Sequence, residues 1–438
     1  MIEKCNKFGV LVFVNFLMAS VMAVAQENRI DLISSNAPTL ARYGDYPVGV
    51  RTMVFTESGR VDVLNTNEED PPVIYDRSLT TEIWYPAHLK EGEKLGEEYK
   101  AITRNPDITA TLIGQALRDA GPARSEEKFP LIVISHGYPG NRYLLSPLGE
   151  NLASKGYVVV SIDHKDSTYE DQGHIKSTLY NRPLDQRFII NSMDKLNGAG
   201  GFLSGMIDVD NTGVVGYSMG GFGLVNNLGG GFSEEVVDSF GAPPQGLLAE
   251  HTSTDSRYRD GLDSRIKAGF AIAPWGMEFG FWNESDLAGI KVPTFYVAGS
   301  RDTTAGYENG VRAIFEAAIN SERYLLTYVD AGHNAGAPYP VPVEILASET
   351  RKGADHYTDP VWENVRMNNI MNHFATAYFN FLLKRDSAMQ KFLDIIPSGD
   401  QGVYSKTNGA FGPEHNYWAG FPEGSASGLI LEKREATR

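Results

Sequence analysis

The sequence predicts an α/β protein whose mostly parallel central sheet is flanked by helices. Three observations predict it. Short apolar runs (Leu131-Ile132-Val133-Ile134, Val158-Val159-Val160-Ser161-Ile162, Val214-Val215, Ala268-Gly269-Phe270-Ala271-Ile272 and Thr294-Phe295-Tyr296-Val297-Ala298) are bounded by Gly, Pro, Asp or Ser and separated by helical stretches. Buried parallel strands joined by crossover helices read this way. Second, Gly213-Val214-Val215 leads through Gly216-Tyr217-Ser218-Met219-Gly220 into Gly221-Phe222-Gly223-Leu224-Val225, a strand, a sharp turn at a serine and a helix. Third, 438 residues with 42% hydrophobic and 11% aromatic side chains can bury a large core.

Taken in order, residues 1–25 read as a signal peptide. Lys4 and Lys7 form a basic start, Phe8 to Val24 is mostly apolar, and Ala23-Val24-Ala25 is a small-x-small site predicting cleavage after Ala25. The sequence therefore predicts a periplasmic or secreted protein with no stable membrane anchor after cleavage. Residues 26–45 are a polar lead-in. Tyr46 to Phe55 and Leu79 to Pro86 alternate like antiparallel strands. Residues 87–128 form a charged, interrupted insertion, within which a helix is expected from Thr109 to Ala120. Leu325 to Val329 adds a strand. Asp359 as N-cap and Pro360 at the first position predict a long helix, with Trp362, Val365, Ile370, Phe374, Ala377 and Phe381 on its apolar stripe. One catalytic domain is thus expected over 26–385. A lid-like insertion at 228–265, opened by Gly229-Gly230-Gly231, is expected to lie over the site. The extension 386–438, with Tyr404, Phe411, Tyr417, Trp418 and Phe421, is too aromatic for a disordered end and is expected to pack on that domain.

Composition narrows the chemistry. The only cysteine, Cys5, precedes the apolar run, so the mature chain would have no thiol nucleophile, disulfide or thiolate metal site. The formal charge of −16 becomes −17 on losing Glu3, Lys4 and Lys7. That balance argues against nucleic acid or anionic lipid as partners. His88, His174, His251, His356, His373 and His415 lack metal-site spacing, so no metal is inferred.

A GxSxG pentapeptide carries little weight alone. A serine hydroxyl needs a base within hydrogen-bond reach and an acid to orient that base, and in the strand-turn-helix arrangement the order is Ser, acid, His. Val297-Ala298-Gly299-Ser300-Arg301-Asp302 places an acid on the loop after one strand, and Val329-Asp330-Ala331-Gly332-His333-Asn334 a histidine on the loop after the next. Ser218, Asp302 and His333 are therefore the expected nucleophile, acid and base. The backbone N–H groups of Met219 and of Tyr138, freed by Gly137, are the expected oxyanion donors. His136 is expected to hold that loop. His164 is a rival base, and Asp163 and Asp166 are rival acids.

His136-Gly137-Tyr138, Ser161-Ile162-Asp163-His164-Lys165-Asp166-Ser167, Gly216-Tyr217-Ser218-Met219-Gly220-Gly221 and Gly299-Ser300-Arg301-Asp302 resemble the platelet-activating-factor acetylhydrolase type of α/β-hydrolase, and bacterial predicted dienelactone hydrolases. The opening strands, Tyr46 to Arg51 and Thr81 to Pro86, share the likeness, which runs with gaps to about Phe381. It implies an α/β-hydrolase fold, Ser218, Asp302 and His333 as the triad, and Tyr138 and Met219 as the oxyanion hole. Ser218 stands where dienelactone hydrolases proper carry cysteine. Tyr138, Met219 and Trp275 are similar in position to the aromatic clamp of secreted polyester hydrolases and cutinases. The expectation is a cofactor-free serine esterase acting on short-chain acyl esters, with Tyr138 and Trp275 as substrate-binding residues. Alternatives are a polyester depolymerase, a peptidase or acyltransferase on the same fold, and a non-catalytic binding protein.

Overall fold

The structure, a computed structural model, describes residues 27–239, 241–336 and 338–437. The expected signal peptide and Cys5 lie outside the described residues. Among those described, no helix is long and apolar enough to cross a membrane.

The main strands are β1 (Val48–Val61), β2 (Ile74–His88), β3 (Phe129–Ser135), β4 (Val158–Asp163), β5 (Ile207–Tyr217), β6 (Ile266–Ile272), β7 (Thr294–Gly299), β8 (Arg323–Tyr328) and β9 (Leu429–Arg434). In the sheet they run β9-β8-β7-β6-β5-β3-β4-β2-β1, with Leu117–Arg118 beyond β1. From β8 across to β4 every pairing is parallel. β2 pairs antiparallel with both β4 and β1, and β9 pairs antiparallel with β8. Every residue of β3, β7 and β8 is buried, which is why these strands read as continuous apolar runs rather than alternations.

The principal helices are α1 (Ser146–Ser154), α2 (Ile175–Asn197), α3 (Met219–Asn227) and α4 (Asn364–Leu383). The apolar stripe of α4 lies on β6 and β7, where Phe270 and Phe295 stack at 4.8 Å and Phe374 and Tyr378 meet Phe295. The helix starts four residues later than the Asp359–Pro360 signal predicts. Asp359 Oδ1 accepts from the N–H groups of Val361 and Trp362, closing a turn, and the Glu363 carboxylate caps Val365 and Arg366 instead. Two caps in succession place the boundary after the second.

The helix expected at Thr109–Ala120 is instead two short strands, Thr109–Ile113 and Leu117–Arg118, joined by a turn. Thr109–Ile113 pairs antiparallel with Glu98–Ile102 and parallel with Asn28–Arg29, burying Ala110 and Leu112 on alternate positions. Gly114 then passes the Glu150 carboxylate so closely that a Cβ would lie 2.1 Å from Oε1. Glu150 accepts there from the N–H of Gln115 at 2.8 Å, an anchor incompatible with a continuing helix. The polar lead-in is tied down as well, Asn28 Nδ2 donating to Glu344 Oε2 at 2.7 Å.

The described residues of 228–265 form short turns, Glu234–Val236, Pro244–His251 and Ser256–Asp260, beside α2 and α3. Phe232 is held among Phe222, Phe281 and Trp282, and Gln245 Nε2 donates to the carbonyls of Asn67 and Asp70. In the tail, β9 covers the edge of β8, while Trp418 and Phe421 pack against Phe374 and Trp418 Nε1 donates to Ile396 O at 2.7 Å.

Candidate active site

Ser218 lies between β5 and α3 with φ 53° and ψ −114°, a conformation non-glycine residues seldom adopt. Glycines make the turn possible by contact. A Cβ at Gly216 would lie 2.3 Å from Gly220 O, and one at Gly220 would lie 2.0 Å from Ser135 O. The sharp turn thus presses the first turn of α3 against β3. The Ser218 N–H donates to Ile272 O at 2.9 Å, and the Trp275 N–H donates to Ser218 O at 3.2 Å.

Ser218 Oγ and His333 Nε2 are 3.0 Å apart, and His333 Nδ1 is 2.8 Å from Asp302 Oδ2. An ionised carboxylate only accepts, so Nδ1 carries the imidazole proton and Nε2 is free to accept from the serine hydroxyl. Asp302 Oδ1 accepts from the N–H groups of Thr304 and Ala305 at 2.8 and 3.0 Å. Burial alone would raise the Asp302 pKa. The His333 hydrogen bond and charge, with those two N–H donors, outweigh it and hold the carboxyl below its ordinary value.

The two loops behind this relay are stitched to one another. Arg301 N–H donates to Ala331 O at 2.8 Å, and Gly299 passes so near that a Cβ would meet Gly332 O at 2.2 Å. Asp359, read from the sequence only as a helix cap, accepts the N–H of Gly332 at 2.7 Å through Oδ2. It therefore fixes the residue preceding His333. Asn334, on the other side, accepts from the Tyr217 hydroxyl at 3.0 Å and donates to Asp355 O and Thr358 O. Neither contact was readable in advance, because both join segments distant in sequence.

The backbone N–H groups of Tyr138 and Met219 donate to no acceptor among the described residues. Gly137 stands where a Cβ would be 3.2 Å from Ser218 Cβ, so the loop lies against the serine. His136 Nε2 accepts from the His164 N–H at 3.2 Å, which leaves the proton on Nδ1, and that N–H donates to Gly137 O at 2.7 Å. Arg182 of α2 also donates to the carbonyls of His136 and Gly137. In a trans peptide the carbonyl and the following N–H point opposite ways, so holding Gly137 O inward turns the Tyr138 N–H outward.

The rivals have other work. His164 Nε2 lies 2.8 Å from Ser135 Oγ and Nδ1 lies 3.0 Å from Asp185 Oδ2, a relay buried under the sheet edge. Burial, with the Arg182 charge, lowers the His164 pKa to about 3. Asp163 binds Arg142, and Asp166 binds Arg77 and Ser177.

A cavity of about 640 Å³ opens at Ser218 and His333 and is walled by Tyr138, Tyr169, Arg104 and His356 among others. Its outer wall comes from 87–128 and from the chain after His333. None of the described residues of 228–265 lines it, contrary to the expected lid, because Phe232 and its neighbours anchor that segment elsewhere. Trp275 does not line it either. Its ring stacks on Phe279, which is 55% exposed, with centroids 4.3 Å apart.

A family model described as platelet-activating factor acetylhydrolase, isoform II, matches residues 36–191, which include His136-Gly137-Tyr138 and stop short of Ser218. The chain is 42% identical over 71 residues to platelet-activating factor acetylhydrolase of Bos taurus, covering 14% of this chain and 16% of that protein. It is 33% identical over 182 residues to cutinase 2 of Thermobifida cellulosilytica, covering 42% of this chain and 51% of the cutinase. The chain thus spans from about a sixth to half the length of these curated relatives. A ferulic acid esterase from Streptomyces cinnamoneus superposes with a TM-score of 0.55 at 19% identity, covering 82% of this chain and 94% of that one, a likeness of fold.

Proposed function

The chain has the α/β-hydrolase fold, and on that premise we propose that it is a carboxylic ester hydrolase working through an acyl-enzyme on Ser218. The observation that carries this is the His333 imidazole, bridging Ser218 Oγ at 3.0 Å and Asp302 Oδ2 at 2.8 Å at the floor of an open cavity. Ser218 Oγ attacks the ester carbonyl as its proton passes to His333 Nε2. Asp302 steadies the imidazolium, and its depressed pKa keeps it ionised for that purpose. The tetrahedral oxyanion is received by the N–H groups of Tyr138 and Met219, each such donor being worth about 2.7–4 kcal/mol in the transition state. The C–O bond then breaks and the alcohol leaves with the proton from His333. Water, deprotonated by the same imidazole, releases the acid and restores the serine. No cofactor enters these steps.

Names borne by the matched relatives, an acetylhydrolase and a cutinase, support ester cleavage. The proposed substrates are short-chain acyl esters, with Tyr138 bounding the acyl site. The test is p-nitrophenyl acetate or butyrate with Ser218→Ala, together with fluorophosphonate labelling. Turnover and labelling should vanish in the variant while its circular dichroism is unchanged. Retained turnover would refute the reading, and failure of the unsubstituted protein to label would favour a binding protein. Amide and alcohol acceptors in the same assay separate a peptidase or an acyltransferase.

A polymeric ester is a second reading, favoured by the Trp275–Phe279 stack beside the serine turn. Release of soluble product from polyester film, lost in Trp275→Ala while p-nitrophenyl butyrate is still cleaved, would select it.

A further inference from the structure

Around Ser218 the cavity wall carries two cations, Arg104 and Lys352, and neither side chain has an ion-pair or hydrogen-bond partner among the described residues. That is unusual in a chain of formal charge −16. A surface lysine alone would be a solvated charge, but Arg104 is half-buried and built into place. Its backbone N–H donates to the Tyr357 hydroxyl at 2.8 Å. Its Cβ and Cγ each lie 2.9 Å from where a Cβ of Gly353 would be, so glycine at 353, with φ +84°, makes room for the arginine stem. The 87–128 insertion and the chain after His333 meet at this contact.

The neighbouring groups do not neutralise it. His356 is held neutral, burial, then the Arg104 charge and His333, driving its pKa down to about 3, and its Nε2 is engaged by the Tyr169 hydroxyl at 2.5 Å. Asp355 is the one carboxylate among the lining residues described, exposed and without an ion pair. Two cations against one carboxylate leave the wall positive, and the planar guanidinium fork matches a carboxylate or phosphate oxyanion.

We propose that this wall is a subsite for an anionic group, a carboxylate or a phosphate, borne by the ester that Ser218 attacks. The inference rests on the esterase reading and specifies its substrate class: esters of hydroxy acids or phosphorylated alcohols, or half-esters of diacids. The anion sits against Arg104 with Lys352 at the mouth, and the scissile carbonyl reaches the Tyr138 and Met219 N–H groups.

The experiment compares three acetates of similar shape, 4-acetoxybenzoate, 4-acetoxybenzamide and 4-acetoxyphenyl phosphate, on the full chain. Expected is a kcat/KM about tenfold or more higher for an anionic ester than for the amide, through KM and weakened by salt. Which anion is preferred names the source. In Arg104→Gln the anion-to-amide ratio should fall to about one, with Arg104→Lys retaining part of it. Should Arg104→Gln not fold, competitive inhibition of the unsubstituted protein by 4-hydroxybenzoate but not by 4-hydroxybenzamide replaces it. Equal kcat/KM for all three esters, equal inhibition by both phenols, or an unchanged ratio in a folded Arg104→Gln overturns the inference. If the amide is cleaved and Ser218 labels with fluorophosphonate, only the subsite has failed. If no ester is cleaved and Ser218 does not label, the esterase reading falls and takes the subsite with it.

Discussion

His136 Nδ1 lies 2.7 Å from the carbonyl oxygen of Gly137, the residue that follows it in the chain. The contact looks trivial in sequence, yet it sets the plane of the peptide whose other end is the Tyr138 N–H. His136→Ala removes the donor while Arg182 still reaches the same carbonyl, so the loop loosens without collapsing. A fall in kcat of about tenfold is expected, less than the 10²–10³ typical of losing an oxyanion donor outright. KM for p-nitrophenyl butyrate should hold, and steady-state kinetics check this.

Asp302→Asn presents an amide where His333 needs an acceptor, favouring the tautomer with the proton on Nε2, which cannot accept from Ser218. A loss in kcat of about 10⁴-fold is expected at neutral pH, with the fold intact. Rate measurements beside a thermal melt distinguish this from unfolding.

Asp359→Ala leaves the Gly332 N–H without its acceptor and frees the backbone next to His333. The Val361 and Trp362 N–H groups lose their acceptor too, so an expected several-fold drop in kcat should come with a lowered melting temperature, at about 1 kcal/mol for each of the three hydrogen bonds. Asp359→Asn keeps one acceptor oxygen where two are used, one by Gly332 and one by Val361 and Trp362, so it should restore the rate only in part.

Acid should destabilise the protein early. Burial, aided by nearby cations, pushes His164, His251 and His373 from 6.5 to about 3, and His136 well below its ordinary value. Below pH 6.5 the unfolded chain binds protons at these positions and the folded one does not, so stability falls as pH drops toward 3. Each contributes up to about 1.4 kcal/mol per pH unit. Asp185 acts with the opposite shift. Burial opposes its charge, but Arg77 and the His164 hydrogen bond hold its pKa far down. Its contribution persists above its ordinary value of 3.8 and is lost below it. Melting temperature should therefore fall steadily from about pH 6. His373→Gln, which keeps an acceptor for the Leu40 N–H, should flatten the slope.

Which features were legible follows from how local their causes are. Ser218, Asp302 and His333 each end an apolar run or begin the loop after one, and strand punctuation survives in sequence. The structure brings the three side chains together. Thr109–Ile113 misled because Ala110, Ile113 and Leu117 keep a helical spacing, whereas the determinant is the distant Glu150 carboxylate gripping Gln115. Asp359 had a visible local role as a cap, which concealed its second bond to Gly332. Arg104 left no signal, since its place depends on a glycine some 250 residues away. For 228–265, the Gly-rich opening reads like a cover over the cavity, and only the partners of Phe232 show which way it turns.

The Arg104–Gly353 contact separates two inheritances. Bond cleavage would be executed by groups seated on the sheet, whereas the proposed anion-facing part of the wall would be contributed by excursions outside it. Such a wall can drift, or be grafted, without disturbing the chemistry beneath. On the proposed reading, changes at 104 and 353 would then be the natural place for one hydrolytic engine to acquire a new diet.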